Sequence, residues 1–471
     1  MTTSNITFPL ELVEAFVEQL APGSGTISER DILQTVIACT LTSKYFSFAA
    51  RKRLFSTLVI DWEPTHLLPR ITPRSETRTE EEISRRINSF IDLLADERSS
   101  DLALMLRSLH IIVDRQQVML RQATNLHGLL KALSQRAHKL NILRVDSRIF
   151  FSWTKIPQET ADGLQALCRS LTVKRLILSF IHNIPPVIAS AQESPHLRYI
   201  NFEGSKFGKV ETVVVAGSDV LPANVTSGNL DLLGSLPTHG SYEIRYTSDG
   251  RIHIVGMDII IRLSHDSQRL NQLLCDEGVR SSLKYCYWAI DEPFLTTKAI
   301  DFGNMILLRQ LVIESRIGLS QSYENTRDAI TSKMWVDVSQ VYEGITDATN
   351  TLIDCLYYGN TKSALKEIKV TVSVACVWYR GTSTFDSVDF SPLQRLRIDS
   401  LRKKHPLIQL TQFLMNIRLI QLVDGPELND ESRSSFEEHI RDLITDAITI
   451  TVPPSDEFLL PKIYICAKIV Q

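Results

Sequence analysis

The sequence predicts an α/β protein in two parts: a small three-helix N-terminal domain, then one long, irregular α/β solenoid. Three observations carry this expectation. The first 60 residues hold three apolar stripes at helical spacing that end in a β-branched run. A short apolar theme then recurs along the remaining chain, mostly at intervals of 24 to 34 residues. Helix-like stretches stand directly before several copies, and such alternation is how a repeat array stacks one supersecondary unit on the next.

In the N-terminal part, Leu12, Val13, Phe16, Val17 and Leu20 share one side of a helix opened by Pro9, with Glu11, Glu14 and Glu18 opposite. Pro22, Gly23 and Gly25 end it. Ser28 and Asp31 form an approximate capping box for a second helix, whose stripe is Ile32, Leu33, Val36, Ile37 and Leu41. Ser43 caps a third, with Phe46, Ala50 and Leu54 inward, and Thr57-Leu58-Val59-Ile60 reads as an exiting strand. Three short helices cannot bury a large core alone.

Pro64, Pro69 and Pro73 then crowd into ten residues, ahead of a charged run and an amphipathic helix carrying Ile83, Ile87, Phe90, Ile91 and Leu94. The expected domains are therefore 1–62, a linker with its helix at 63–95, and a solenoid at 96–471. The alternative is a solvated loop inside one larger domain.

The recurring theme, apolar-x-x-apolar-x-apolar, starts at Leu106, Leu140, Val173, Leu197, Leu283, Leu308, Leu365, Leu393 and Ile417. Two wider gaps, of 86 and 57 residues, are close to three and two units of about 29. Chance alone supplies about 20 matches to so loose a template, so placement is the stronger evidence. NLHGLLKALSQRAHK precedes Leu140, and ETADGLQALCRSL precedes Val173. The pattern resembles a leucine-rich repeat. A family repeat carries Asn or Cys eight residues after the first apolar position, to satisfy backbone groups at the turn. Here those positions hold Asp114, Arg148, Ile181, Ser205, Asp291, Arg316, Ser373, Leu401 and Gly425. Only Asp114, Ser205, Asp291 and Ser373 can substitute as acceptors, so the solenoid is expected to be irregular. Residues 204–256 break the rhythm with eight of the 19 glycines and a hairpin-like YEIRYTSDGRIHIV, in which Asp249-Gly250 makes the turn. They read as an insertion or a distorted repeat.

Composition narrows the function. Lys+Arg number 51 against 54 Asp+Glu, a net charge of -3 that gives no global field for nucleic acid or anionic membrane. The clusters Arg51-Lys52-Arg53 and Arg402-Lys403-Lys404-His405 lack aromatic stacking partners and read as solvated faces. Neither a signal peptide nor a membrane-length apolar run is present. The seven cysteines, an odd number without a C-x-x-C pair, suit a reducing compartment, the cytoplasm or the nucleus. No G-x-S-x-G, H-E-x-x-H or zinc-type spacing occurs. GSKFGKV, from Gly204, is one residue short of a phosphate loop and has Val210 where a magnesium-binding hydroxyl belongs; it reads as a turn. A non-enzymatic protein without metal or cofactor is expected. An α/β enzyme whose site is assembled from distant residues remains the distant alternative.

The N-terminal residues FPLELVEAFVEQL and ILQTVIACTLTSKYFSFAARKRLFSTLVI resemble an F-box, particularly the divergent fungal type. Phe8-Pro9 stands for the family's Leu-Pro-like opening, with Glu11 third in the helix. Cys39, Leu41, Ser43, Lys44 and Phe46 match its Cys-x-Leu-x-Ser-[Arg/Lys]-x-Phe stretch, and Ala50, Arg51, Leu54, Phe55 and Leu58 its ending. The likeness spans residues 6–60, and its first loop is longer than usual. It implies docking of the three helices on a Skp1-type adaptor, and through it a cullin-RING ubiquitin ligase, while the solenoid holds a protein substrate of unknown identity. By carry-over, Phe8, Pro9, Leu10, Leu12, Val13, Phe16 and Leu20 would contact the adaptor first, then Val36, Cys39 and Phe46. The same positions serve the domain's own core equally well. The rival expectation is a leucine-rich-repeat-like scaffold whose N-terminal helices only cap the array.

Overall fold

The computed structural model describes residues 29–61 except Ser43, 80–96, 100–113, 120–169, 172–208, 232–261, 264–290, 302–317, 363–377, 403–421 and 462–469, with isolated positions including Leu12, Val13 and Val17. It is a mixed α/β protein of two compact units. One comprises Met1–Gly234 with Ser248–Arg251, the other Ser235–Thr247 with Ile252–Gln471.

In the first unit, helices α1 (Glu29–Cys39) and α2 (Lys44–Leu54) lead into β1 (Thr57–Asp61). The amphipathic helix expected after the prolines is α3 (Glu80–Ala95), and it buries Ile83, Ile87 and Leu94. Then come α4 (Ser100–Met105), β2 (Ser108–Val113), α5 (Leu126–Arg136), β3 (Ile142–Ser152), α6 (Gln158–Arg169), β4 (Arg175–His182) and β5 (Tyr199–Glu203). All five strands are parallel and each pairs with its neighbours in chain order. Parallel neighbours need a crossover between them; α-helices supply it from β1 to β4, and a 3-10 turn at Pro186–Ala189 lies between β4 and β5. α5 turns Leu126, Leu129, Leu130 and Leu133 inward, the i, i+3, i+4, i+7 stripe of a one-sided helix. Gly163 of α6 lets α5 approach, since a Cβ there would stand 2.9 Å from the Leu130 Cβ. α3 packs on α5 in turn. α3 belongs to the same compact unit as β1 to β5.

The second unit opens with the hairpin β6 (His239–Tyr246) and β7 (Ile252–Ile261), paired antiparallel. Gly250 at φ +80 makes its turn, a conformation costly for other residues. There follow α7 (Ser264–Cys275), α8 (Glu277–Ser282), β8 (Tyr285–Ile290), β9 (Gln310–Ile317), β10 (Glu367–Val377), β11 (Leu410–Gln421) and β12 (Lys462–Ile469). From β7 onward the strands are parallel in chain order. Asp276 caps α8 by accepting from Val279 N at 3.2 Å.

Seven copies of the sequence theme begin two residues before a strand: those at Leu106, Leu140, Val173, Leu197, Leu283, Leu308 and Leu365. The first, fourth and sixth residues of each are at most 5% exposed. The second residue joins one repeat to the next, because its carbonyl accepts two backbone N–H groups of the following copy. Arg107 O takes Asn141 N and Ile142 N, Asn141 O takes Lys174 N and Arg175 N, and Lys174 O takes Arg198 N and Tyr199 N. Lys284 O and Arg309 O repeat the arrangement in the second unit. The copy at Leu393 lies outside the described residues. The copy at Ile417 is corrected: it falls inside β11, which already begins at Leu410.

Of the four substitute turn acceptors, Ser205 does what was expected, its Oγ accepting from Ile181 N at 2.9 Å. Ser373 instead donates to Glu314 Oε1 at 2.8 Å, and Asp114 and Asp291 lie outside the described residues. Ser28, Ser43 and the prolines at 64, 69 and 73 lie outside them too, as do residues 209–231 of the Gly-rich stretch.

Candidate functional site

The N-terminal helices divide their apolar residues between a core and a surface. Val13 and Val17 pack with Ala49, while Val36 and Cys39 pack with Ala50. Phe46 bridges the two clusters and Leu54 closes the second. Of the positions expected to meet an adaptor, Val13, Val36, Cys39 and Phe46 therefore face inward. Leu12 is 59% exposed. Phe8, Pro9, Leu10, Phe16 and Leu20 lie outside the described residues.

Two residues expected in the inward stripe of α1 turn outward. Ile37 is exposed because it lies about 100° around the helix from Val36, and Leu41, in the turn after α1, is 85% exposed. Tyr45, Phe48 and Phe55 are exposed as well. Phe55 borders a small apolar cleft lined also by Leu58, Phe90, Leu94, Leu102 and Leu106. Exposed apolar residues scattered singly need no explanation, but a gathering of them marks a contact surface. The sequence signal that could have found Ile37 was its one-residue offset from Val36. The basic run Arg51-Lys52-Arg53 occupies the last turn of α2, where cations complement the helix dipole.

A second feature lies on the half-exposed face of the first unit's sheet. Alternate residues of β2 to β5 leave the core there and place Asp61, Asp146, Ser179 and Glu203 along one row of the register. Asp146 is its hub: His110 Nε2 lies 2.7 Å away, Arg144 Nε donates at 2.6 Å and Ser179 Oγ at 2.6 Å. Arg148 pairs with Asp61 at 3.2 Å. Burial pushes the Asp146 carboxyl up. The hydrogen bonds from His110 and Ser179, with the charges of Arg144 and His110, outweigh that and hold it below the ordinary 3.8. A depressed carboxyl adds stability above its unfolded-state pKa, and that stability is lost as pH falls through the folded value. Asp146→Asn is therefore expected to cost about 1 to 2 kcal/mol near neutral pH. The gap from the parent should close on acidification below the ordinary carboxylate range, as urea titrations across pH would show. A gap that persists unchanged in acid contradicts this assignment.

Past Asp146, β3 bulges before resuming its pairing at Phe151. The bulge lifts Phe150 into solvent, edge-on to Phe180 at 5.5 Å. Phe180 itself sits at φ +57, a strained conformation for a bulky residue.

The buried thiols are built for packing. Desolvation pushes the Cys168 thiol up to about 12, and Cys286 higher still, so neither forms the reactive thiolate near neutral pH. In the native protein a maleimide is expected to label Cys275, which is exposed, and to spare Cys168 and Cys286 until denaturant is added. Peptide mapping that finds Cys168 labelled in the native state would contradict this. Cys355, Cys376 and Cys466 have side chains outside the described set.

Among the described residues no three His, Cys, Asp or Glu side chains are grouped to hold a metal ion. No described helix is long and apolar enough to cross a membrane. Fold and surfaces together define a mixed α/β protein of mostly parallel strands in chain order, whose N-terminal segment leaves several large apolar side chains exposed. The chain matches no protein-family model and no curated protein.

Proposed function

We propose that this chain is a non-catalytic substrate-recognition subunit of a Skp1-cullin-F-box type ubiquitin ligase. Its N-terminal helices bind the adaptor, and a leucine-rich-repeat-like array holds a protein target, in the cytoplasm or the nucleus. The observation that carries the reading is the set of exposed Leu12, Ile37, Leu41, Tyr45, Phe48 and Phe55 within the first 55 residues. A helical unit that keeps this much apolar surface in water gains by covering it with a partner. The resemblance of residues 6–60 to an F-box names that partner. Parallel strands paired in chain order, with helices as crossovers, support a stacked array as the target-binding part.

Such a receptor needs no nucleophile or base of its own. It accelerates transfer by holding a target lysine near a ubiquitin thioester carried by other subunits, so the rate gain is one of proximity. Co-expression with a Skp1-type adaptor tests the reading.

One observation favours the rival scaffold reading. β1 follows α2 directly and pairs with β2, and Ser56 O accepts from both Arg107 N and Ser108 N, so the helices also close the end of the array. Removal of residues 1–55, which spares β1, separates the two. A mere cap leaves an insoluble remainder and a full chain that ignores the adaptor. A docking module leaves a folded remainder that has lost the adaptor.

A further inference from the structure

We propose that the N-terminal edge of the first unit's sheet docks an acidic segment of a partner protein. This deepens the receptor reading and rests on it only in taking that partner to be the target. The repeat itself supplies the cations. The residue after the first apolar position is Arg107, Lys174 and Arg198 in three of this unit's four copies, and the carbonyls of Arg107 and Lys174 join one copy to the next. Lys139 stands just before Leu140, and Arg175 follows Lys174. Neighbouring strands lie about 4.8 Å apart, so the register sets these cations in a row across one edge of the sheet.

Lys139, Lys174, Arg175 and Arg198 are exposed and Arg107 is half-buried. Among the described residues none of the five pairs with a carboxylate. Arg107 donates to Leu104 O at 3.3 Å and Arg198 to Leu197 O at 2.9 Å. Arg175 lies over the Tyr199 ring, its Cζ 5.0 Å from the centroid, which holds the guanidinium fork ready for an anion. Three of the unit's carboxylates are engaged elsewhere: Asp61 with Arg148, Asp146 with Arg144 and Glu193 with Arg169.

A chain of net charge -3 has thus gathered unpaired cations along one edge, while its acidic row, Asp61, Asp146 and Glu203, lies four to seven residues further along the strands. That row repels a long polyanion. Arg175 already covers the Tyr199 ring beside the ridge, a face on which a nucleobase would otherwise stack. A short acidic peptide fits both constraints.

The test is fluorescence anisotropy with the full-length protein and a labelled peptide of alternating glutamate and serine. The same peptide with glutamine for glutamate and a single-stranded oligothymidylate are run beside it. The glutamate peptide is expected to bind, more weakly as salt is raised, and the glutamine peptide to bind at least about ten-fold more weakly. Lys174→Glu with Arg198→Glu should abolish the binding, and Lys155→Glu, at an exposed position just past the far end of β3, should leave it unchanged. Should the reversal pair unfold, Lys174→Gln with Arg198→Gln carries the test through a loss of about ten-fold. Equal binding of the two peptides, unchanged binding by the ridge variants, tighter binding of the oligonucleotide, or no binding at low salt overturns the proposal. None of these results depends on the adaptor, so failure here and failure of the receptor reading are distinguishable.

Discussion

Aspartate at Ile37, Leu41 and Phe48 together is expected to reduce adaptor binding at least 100-fold while leaving the thermal midpoint of the protein nearly unchanged. All three side chains are exposed, so their loss opens no cavity, and surface changes of this kind move stability by only about 0.5 kcal/mol each. At an interface the same side chains would be buried. A carboxylate forced into an apolar contact costs several kcal/mol, and truncation of a central contact alone costs about 2 kcal/mol or more. The contrast with the inward residues sharpens the test. Aspartate at Val36, which is 2% exposed, should abolish binding by unfolding the helices, with a visible fall in thermal midpoint. Immobilised adaptor and calorimetry on the same samples separate the two outcomes. Undiminished binding by the triple variant would remove this face from the interface.

Among the described residues of the second unit, Asp266→Ala is expected to be the most damaging single polar change, at about 3 to 5 kcal/mol. Asp266 is fully buried in the first turn of α7. Its carboxylate accepts from Thr238 N at 3.0 Å and from Thr238 Oγ1 at 3.0 Å, and His239 Nδ1 lies 3.8 Å away. The alanine leaves a buried backbone N–H without its acceptor and frees the segment that enters β6. Tyr242 reports on the same place. Its hydroxyl donates to Pro237 O at 2.9 Å, and burial, with the nearby Asp266 charge, raises its pKa well above the ordinary range. For a unit of this size the loss corresponds to a fall of roughly 10 °C in thermal midpoint. Asp266→Asn, which keeps one carbonyl acceptor, should recover part of it. A loss under about 1 kcal/mol for the alanine variant would show that water replaces the carboxylate.

How much of this was legible in the sequence depends on whether a signal is local. The starts of seven strands were, because the first, fourth and sixth residues of the theme all point into the core and must be apolar. β11 was not. Its strand begins at Leu410, so the theme should start at Ile408, but Thr411 stands where it requires an apolar residue, and the pattern matched nine residues too late. The helix at 80–95 was visible from Ile83, Ile87 and Leu94, but its partner α5 is a contact across some 40 residues that no local pattern encodes.

The candidate surfaces divide the same way. The stripes of the N-terminal helices were readable, whereas whether Val36 or Ile37 faces water is set by the neighbouring helix. The Asp146 hub joins residues 36 and 33 positions apart, and the Asp266 anchor joins residues 28 apart. Neither leaves a motif. The ridge of Lys and Arg was present in the repeated theme but has meaning only once the parallel register brings its members side by side.

Whether the N-terminal helices exist to bind an adaptor is addressed most directly by co-purification. The full-length chain, produced together with a Skp1-type subunit, is predicted to elute from size exclusion as a stoichiometric complex, and the chain lacking residues 1–55 to elute alone and folded. A full-length chain that elutes without the adaptor, at concentrations where the adaptor is in excess, contradicts the receptor reading.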